Sequence, residues 1–268
     1  MANPRGVPAP LLALAVPVLA GLAYMAAFGA PPTYIAVNAG ALATALLWIA
    51  IGRLPARPAH RRLLAAGLLT LLALPMLIGP EVSGVARWIP LGPATLHAGM
   101  LTLPMLAVLA SQDADDAAPL LLSALFLTLL QPDAAGAFAI TFAAVGLHHV
   151  TRDWRMGVVA IAAFVATIAA ALRGELPAQP FVERVLVEAI GHSPLAALGL
   201  FGALLASFLL ILFDARPKPA ERFALAGTLF GFGMMSLMSN YPTPLIGHGA
   251  APILGYGLAL GFRQETRS

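Results

Sequence analysis

The sequence predicts an all-α fold, a polytopic transmembrane helical bundle of about ten spans, and three observations predict it. Hydrophobic residues make up 60% of the 268 and charged residues only 10%, against about 25% charged in an ordinary soluble domain. Nearly every stretch between clusters of Pro, Gly and charge is apolar all round rather than along one stripe, so lipid is the solvent those faces require. The basic residues lie in short connections between the apolar runs, where they act as topology signals beside lipid headgroups.

A span needs about 20 apolar residues, or fewer when it is tilted or buried among other helices. Ten runs qualify in chain order. Pro8–Phe28 is long and is followed at once by further runs, which argues against its removal as a signal peptide. Thr33–Ile51 and Leu63–Ile78 are separated by a connection rich in arginine, and Pro93–Ala110 follows a loop carrying Arg87 and Trp88. Pro119–Leu130 and Gly136–Val150 are short. Because they flank Gln131-Pro132-Asp133, they also read as one broken re-entrant pair. Met156–Leu172, Pro194–Phe213, Phe223–Ser239 and Gly249–Phe262 complete the series. No repeat, low-complexity tract or soluble domain interrupts it, so residues 1–268 read as a single transmembrane domain.

Ten spans with a cytoplasmic N-terminus place twelve of the 15 Lys and Arg inside: Arg5, Arg53, Arg57, Arg61, Arg62, Arg152, Arg155, Arg216, Lys218, Arg222, Arg263 and Arg267. Only Arg87, Arg173 and Arg184 fall outside. That bias is the one the positive-inside rule expects, and one miscounted span would spoil it. Both termini are therefore expected in the cytoplasm. The net charge of +3 comes from scattered residues rather than a basic face, so nucleic acid is not expected as a partner. Cysteine is absent, which excludes disulfides, thiolate metal sites and a Cys nucleophile. The acidic run Asp113, Asp115, Asp116 reads as a solvated turn.

The outer loops hold the polar residues that orientation does not explain. In the first, Ser83 to Gly92, Trp88 suits the headgroup level and Arg87 either snorkels or offers its donor fork to a lipid phosphate. The break Gln131 to Gly136 carries Asp133, an ionisable group near membrane depth and hence a site candidate, or else the N-cap of the sixth span. The longest outer loop, Arg173 to Ser193, holds Glu175, Glu183, Arg184, Glu188 and His192. Glu183 and Glu188 are five apart, so a shared helix face is not assured. In the last loop Pro242 and Pro244 forbid continuous helix before Gly249. His248, and His148 with His149, lack the further ligands a metal site needs, and no metal is expected.

These segments together resemble the SEDS family of bacterial cell-envelope proteins, the FtsW, RodA and SpoVE group of cell division and cell shape. Ser83-Gly84-Val85-Ala86-Arg87-Trp88-Ile89-Pro90-Leu91-Gly92 is similar to that family's Asn-Gly-x-x-Arg-Trp-Ile-x-Leu-Gly loop, and Gln131-Pro132-Asp133 to its Gln-Pro-Asp break. Phe181 to Gly191, with Glu188, resembles Phe-Ile-Phe-Ala-Val-Ile-Ala-Glu-Glu-Leu-Gly, and Pro242 to Gly249 resembles Pro-Leu-Pro-Phe-Ile-Ser-Tyr-Gly. The resemblance implies a multi-pass protein of the bacterial cytoplasmic membrane in peptidoglycan synthesis. It would bind lipid II or a related polyprenyl-linked lipid and polymerise glycan beside a single-span transpeptidase, with no cofactor. Arg87, Trp88, Asp133 and Glu188 are the substrate-binding residues it suggests.

Three departures alter that expectation. The family's catalytic Asp falls at Pro180, its Phe-Gln-Pro-Ser-Glu becomes Leu96-His97-Ala98-Gly99-Met100, and a nearby Lys becomes Leu103. The chain is also shorter than the family, mostly between Arg173 and Phe181. Proline accepts no proton, so Glu183 is the nearest substitute as a catalytic acid. On a continuous helix it would lie about 4.5 Å along and about 60° around from position 180, too far to replace the lost group. The sequence therefore predicts a polymerase that is weak or inactive by itself, with Arg87, Asp133, Glu183 and Glu188 around one outward-facing polar cavity. The alternative is a small lipid or solute transporter, which would also use broken helices and an intramembrane carboxylate.

Overall fold

The structure, a computed structural model, describes residues 8–53, 55, 57–91, 94–173 and 176–262. Arg5, Glu175, Gly92, Pro93, Arg263 and Arg267 lie outside the described residues, and so do both termini. Helices α1 (Ala9–Ala27), α2 (Pro32–Ile51), α3 (Pro58–Ala73) and the one-turn α4 (Pro75–Ile78) lead into a hairpin of β1 (Trp88–Leu91) and β2 (Ala94–His97). Then follow α5 (Ala98–Ala110), α6 (Ala114–Leu130), α7 (Ala134–Thr151), α8 (Trp154–Ala171), α9 (Val185–His192), α10 (Pro194–Phe213), α11 (Pro219–Met238) and α12 (Ala250–Gly261).

Each of the ten runs read from the sequence overlaps a helix, Leu63–Ile78 falling on both α3 and α4. Six are long and apolar enough to cross a membrane unaided: α1, α2, α3 with α4, α7, α8 and α10. α5 and α12 are apolar but only 13 and 12 residues long, and both are buried at the centre of the bundle. Proline opens α2, α3, α10 and α11. Its ring fixes φ for the first turn, and its missing N–H is one that has no helical partner there. α6 and α7 are separate helices of 17 and 18 residues, not a re-entrant pair. α6 begins five residues earlier than the apolar run because Asp113 caps it, accepting the Asp115 N–H at 3.0 Å.

One segment departs from the all-helical expectation. The run Pro93–Ala110 is helical only from Ala98, and its start is strand β2, paired antiparallel with β1 in the register Trp88↔His97, Ile89↔Leu96, Pro90↔Thr95 and Leu91↔Ala94. Trp88, Ile89 and Thr95 suit a pleated surface, and Pro90 is tolerated because both strands of a two-stranded hairpin are edges.

The core forms where glycines let backbones touch. A Cβ on Gly227 or Gly231 of α11 would collide with the backbone of α7 at Phe142 and Phe138, and one on Gly146 of α7 would collide with Phe223. Gly255 of α12 sits against the Met100 carbonyl of α5, and Gly257 against Ala45 of α2. Without a hydrophobic drive between helices in lipid, such close approach supplies the packing that holds a membrane bundle together.

Contacts sort the connections onto two ends. Arg62 pairs with Asp116 at 2.7 Å, Arg155 lies 3.7 Å from Asp115, and the Gln112 Nε2 donates to Glu221 at 3.2 Å at one end. At the other, the Gln131 amide donates to the Leu72 carbonyl and the Asn38 amide to Gly247 O, 2.9 Å. Among the described residues the first end carries Arg53, Arg57, Arg61, Arg62, Arg152, Arg155, Arg216, Lys218 and Arg222, and the second only Arg87, Arg173 and Arg184. The acidic run is thus more than a solvated turn, since it caps α6 and joins α3, α6 and α8.

Candidate functional site

The second end gathers the hairpin, the Gln131-Pro132-Asp133 break, the α8–α9 connection and the loop before α12. Asp133 is fully buried and caps α7, its Oδ1 accepting the Gly136 N–H at 3.0 Å. It is therefore at once an N-cap and a buried carboxylate. Its carboxylate is wedged between two helix starts, because a Cβ on Gly99 or Gly136 would come within 2.7 or 2.5 Å of Oδ2. That oxygen has no hydrogen-bond partner. His97, at the end of β2, faces it with Nε2 3.7 Å from Oδ1.

The tautomer of His97 follows from its other nitrogen. Nδ1 accepts the Met100 N–H at 3.3 Å and so caps α5, which leaves the proton on Nε2, on the Asp133 side.

Arg87, immediately before β1, is 1% exposed, and its guanidinium lies between two rings, 4.4 Å from that of Tyr241 and 4.9 Å from that of Trp88. Two of its nitrogens, Nε and Nη1, have no hydrogen-bond partner. Tyr241 ties this arrangement to the break, because its hydroxyl accepts the Ala134 N–H at 3.0 Å at the first turn of α7.

Glu183 does not lie on a helix, which corrects the offset expected from the sequence. Phe181 and Arg184 have φ of 63° and 53°, and α9 begins only at Val185. The left-handed residues turn the chain so that Glu183 pairs with Pro242 in an isolated bridge, while the Arg184 N–H donates to the Tyr241 carbonyl at 3.3 Å and the Thr243 N–H to Val182 O at 3.0 Å. Partial burial raises the Glu183 pKa, against the lowering effects of the Gln179 N–H and of the Arg87 charge. Glu188 faces another way. Its Oε2 accepts the Phe181 N–H at 2.9 Å, next to a cluster in which Tyr24 bonds to His192 at 2.8 Å. Arg87, Trp88, Asp133 and Glu183 thus share a neighbourhood with His97 and Tyr241, whereas Glu188 braces the turn at Phe181. Pro180 is exposed beside that turn.

Sequence reasoning did not single out His97 or Tyr241. The signal was a polar side chain at the head of an apolar run in one case, and an aromatic just before Pro242 in the other. His248, by contrast, is a packing residue, stacked on Tyr34 with centroids 3.7 Å apart.

A bundle of this kind, with six helices among the described residues fit to cross unaided and the short α5 and α12 buried at the centre, is that of a polytopic membrane protein. No protein-family model matches the sequence, and no curated protein does. Solved structures do. An aspartate-to-alanine mutant of the rod shape determining protein RodA of Thermus thermophilus superposes with a TM-score of 0.68 at 23% identity, over 97% of this chain and 96% of that one. RodA of the same organism gives 0.65 at 24% identity, over 94% and 93%. A chain from a peptidoglycan synthase complex that coordinates polymerisation and crosslinking gives 0.63 at 23%, over 96% and 97%. The chain has the fold of RodA.

Proposed function

We propose that this protein is a SEDS-type envelope protein of peptidoglycan synthesis in the bacterial cytoplasmic membrane, with residues 53–62 and 214–222 in the cytoplasm and the Arg87 site outside. It binds the pyrophosphate of lipid II or a related polyprenyl-linked lipid. One observation carries this reading. A guanidinium 4.4 Å from the Tyr241 ring and 4.9 Å from the Trp88 ring keeps two donor nitrogens without partners, beside a buried carboxylate and a half-buried one. Such a fork suits phosphate oxygens. The shared RodA fold and the sequence resemblance supply the substrate class. Because Arg87 and Asp133 are occluded, the outer loops must part to admit a headgroup.

Its own polymerase activity is weak or absent. Glycosyl transfer needs a base or charge stabiliser within hydrogen-bond reach of the reacting oxygen, and Pro180 stands where the family resemblance places that group. Glu183 is the nearest acid, and its carboxylate already accepts the Gln179 N–H at 2.7 Å. A single-span transpeptidase is the expected partner, as the peptidoglycan synthase complex among the structural neighbours suggests. The test is to incubate the purified protein, alone and with its cognate transpeptidase, with labelled lipid II. We expect binding that Arg87→Met abolishes and little glycan strand. Abundant polymer that disappears in Glu183→Gln would overturn the weak-polymerase reading and make Glu183 the catalytic acid.

A further inference from the structure

At the opposite, arginine-rich end a crevice of ≈ 480 Å³ opens between the N-terminal halves of α3 and α6, floored by the end of α5. Its volume falls in the range of about 300–1,000 Å³ usual for small-molecule sites. Pro119 lies inside α6 and lines the crevice, and its ring carries no N–H for the helical ladder there. Ala65 and Ala66 on the facing side of α3 leave the gap unfilled.

The chemistry changes with depth. Arg61 and Arg62 are the fourth and fifth residues of α3, and Asp113 and Asp116 cap and follow the start of α6, so the mouth carries two cations and two anions. The wall beyond them is Ala66, Leu69 and Leu120. From Arg62 to Leu69 is a descent of about 10 Å along the helix, from the headgroup level into the hydrocarbon. Lipid borders the crevice, since most of α3 is exposed.

We infer that this crevice is a site for a phospholipid with a primary ammonium headgroup, its phosphate at the arginines, its ammonium at Asp113 and Asp116, and the upper part of one chain against Ala66, Leu69 and Leu120. Charge complementarity selects among lipids. An anionic headgroup such as phosphatidylglycerol adds negative charge beside two carboxylates and offers them only neutral hydroxyl donors, with no cation. A choline headgroup has the positive charge but no N–H to donate. The arginines and aspartates partly occupy one another, as the Arg62–Asp116 pair shows, so preference for the amine is moderate. The inference needs only that the protein spans a membrane, and it stands or falls apart from the lipid II reading.

Native mass spectrometry of the detergent-purified protein tests it, with dioleoyl phosphatidylethanolamine, phosphatidylcholine and phosphatidylglycerol titrated separately. Phosphatidylethanolamine should bind about tenfold more tightly than the other two, the worth of one charge-assisted hydrogen bond. Asp113→Asn keeps the α6 cap, because asparagine caps as well, and should cut the preference over phosphatidylcholine severalfold. Ala66→Trp fills the apolar wall from an exposed helix position and should abolish retention of all three. Glycerophosphoethanolamine, which has the headgroup without chains, should not compete at equal concentration. Equal binding of the three lipids, a preference for phosphatidylglycerol, competition by the chainless headgroup, or Ala66→Trp binding like wild type would each overturn it.

Discussion

Tyr241 supports the proposed site in two separable ways, and two substitutions pull them apart. Tyr241→Phe keeps a ring under Arg87, now 4.4 Å from the guanidinium, and removes the acceptor of the Ala134 N–H. That N–H is buried at the first turn of α7, where no carbonyl of the helix can take it. A buried donor left unsatisfied costs about 1–3 kcal/mol. Tyr241→Leu also removes the ring, and a desolvated cation–π contact is worth about 2 kcal/mol. The expected losses are therefore about 1–3 kcal/mol for Phe and about 3–5 kcal/mol for Leu, read as equilibrium unfolding free energies in mixed micelles. The difference between the two variants is the informative quantity. If Phe and Leu lose the same amount, the ring does not hold Arg87. If Phe costs nothing, the Ala134 N–H finds another partner and the coupling of the α12 loop to the Asp133 break is lost as an explanation.

Two further outcomes follow from the structure. Gly255→Ala should lower the unfolding midpoint strongly, because its methyl group meets the rigid Met100 carbonyl, whereas Gly199→Ala, with open space at its Cβ, should be nearly silent. The proposed orientation is open to single-cysteine labelling, since the chain has no cysteine of its own. An impermeant maleimide should label position 179 in intact cells and spare position 57, and the reverse pattern would overturn the orientation.

The ten apolar runs were legible because composition alone decides what lipid will accept, and each run overlaps a helix. Their ends were less so. Asp113 extends α6 by a turn that reads as polar, and Pro219 does the same for α11, because a side-chain cap in one case and an N-terminal proline in the other recruit residues that hydropathy excludes. Strand β2 was hidden at the head of a run that hydropathy reads as one span, and β1 in the loop before it. At the site, Arg87 and Asp133 were found by charge in an apolar setting. Their companions His97 and Tyr241 were not, since what brings them in is long-range pairing, Trp88 with His97 and the Tyr241 hydroxyl with Ala134. Glu183 was misplaced for a local reason. Two non-glycine residues of positive φ, Phe181 and Arg184, break a helix that the spacing would have allowed to continue.

The shortness of α5 and α12 has a consequence for the backbone. At 1.5 Å per residue they run about 20 and 18 Å, while the hydrocarbon layer is about 30 Å thick. The balance of the crossing falls to the hairpin above α5 and to the bend of residues 239–249 above α12, whose peptide groups cannot be left facing acyl tails. The hairpin meets that demand by pairing its own strands, and the bend meets it through the Thr243 N–H to Val182 O and the Asn38 amide to Gly247 O, so the irregular backbone is satisfied inside the protein rather than by solvent. The two places where the bundle is not helical at depth are thereby the same two that carry Arg87 and Tyr241, so the polar side chains sit where the backbone has already had to find partners within the protein.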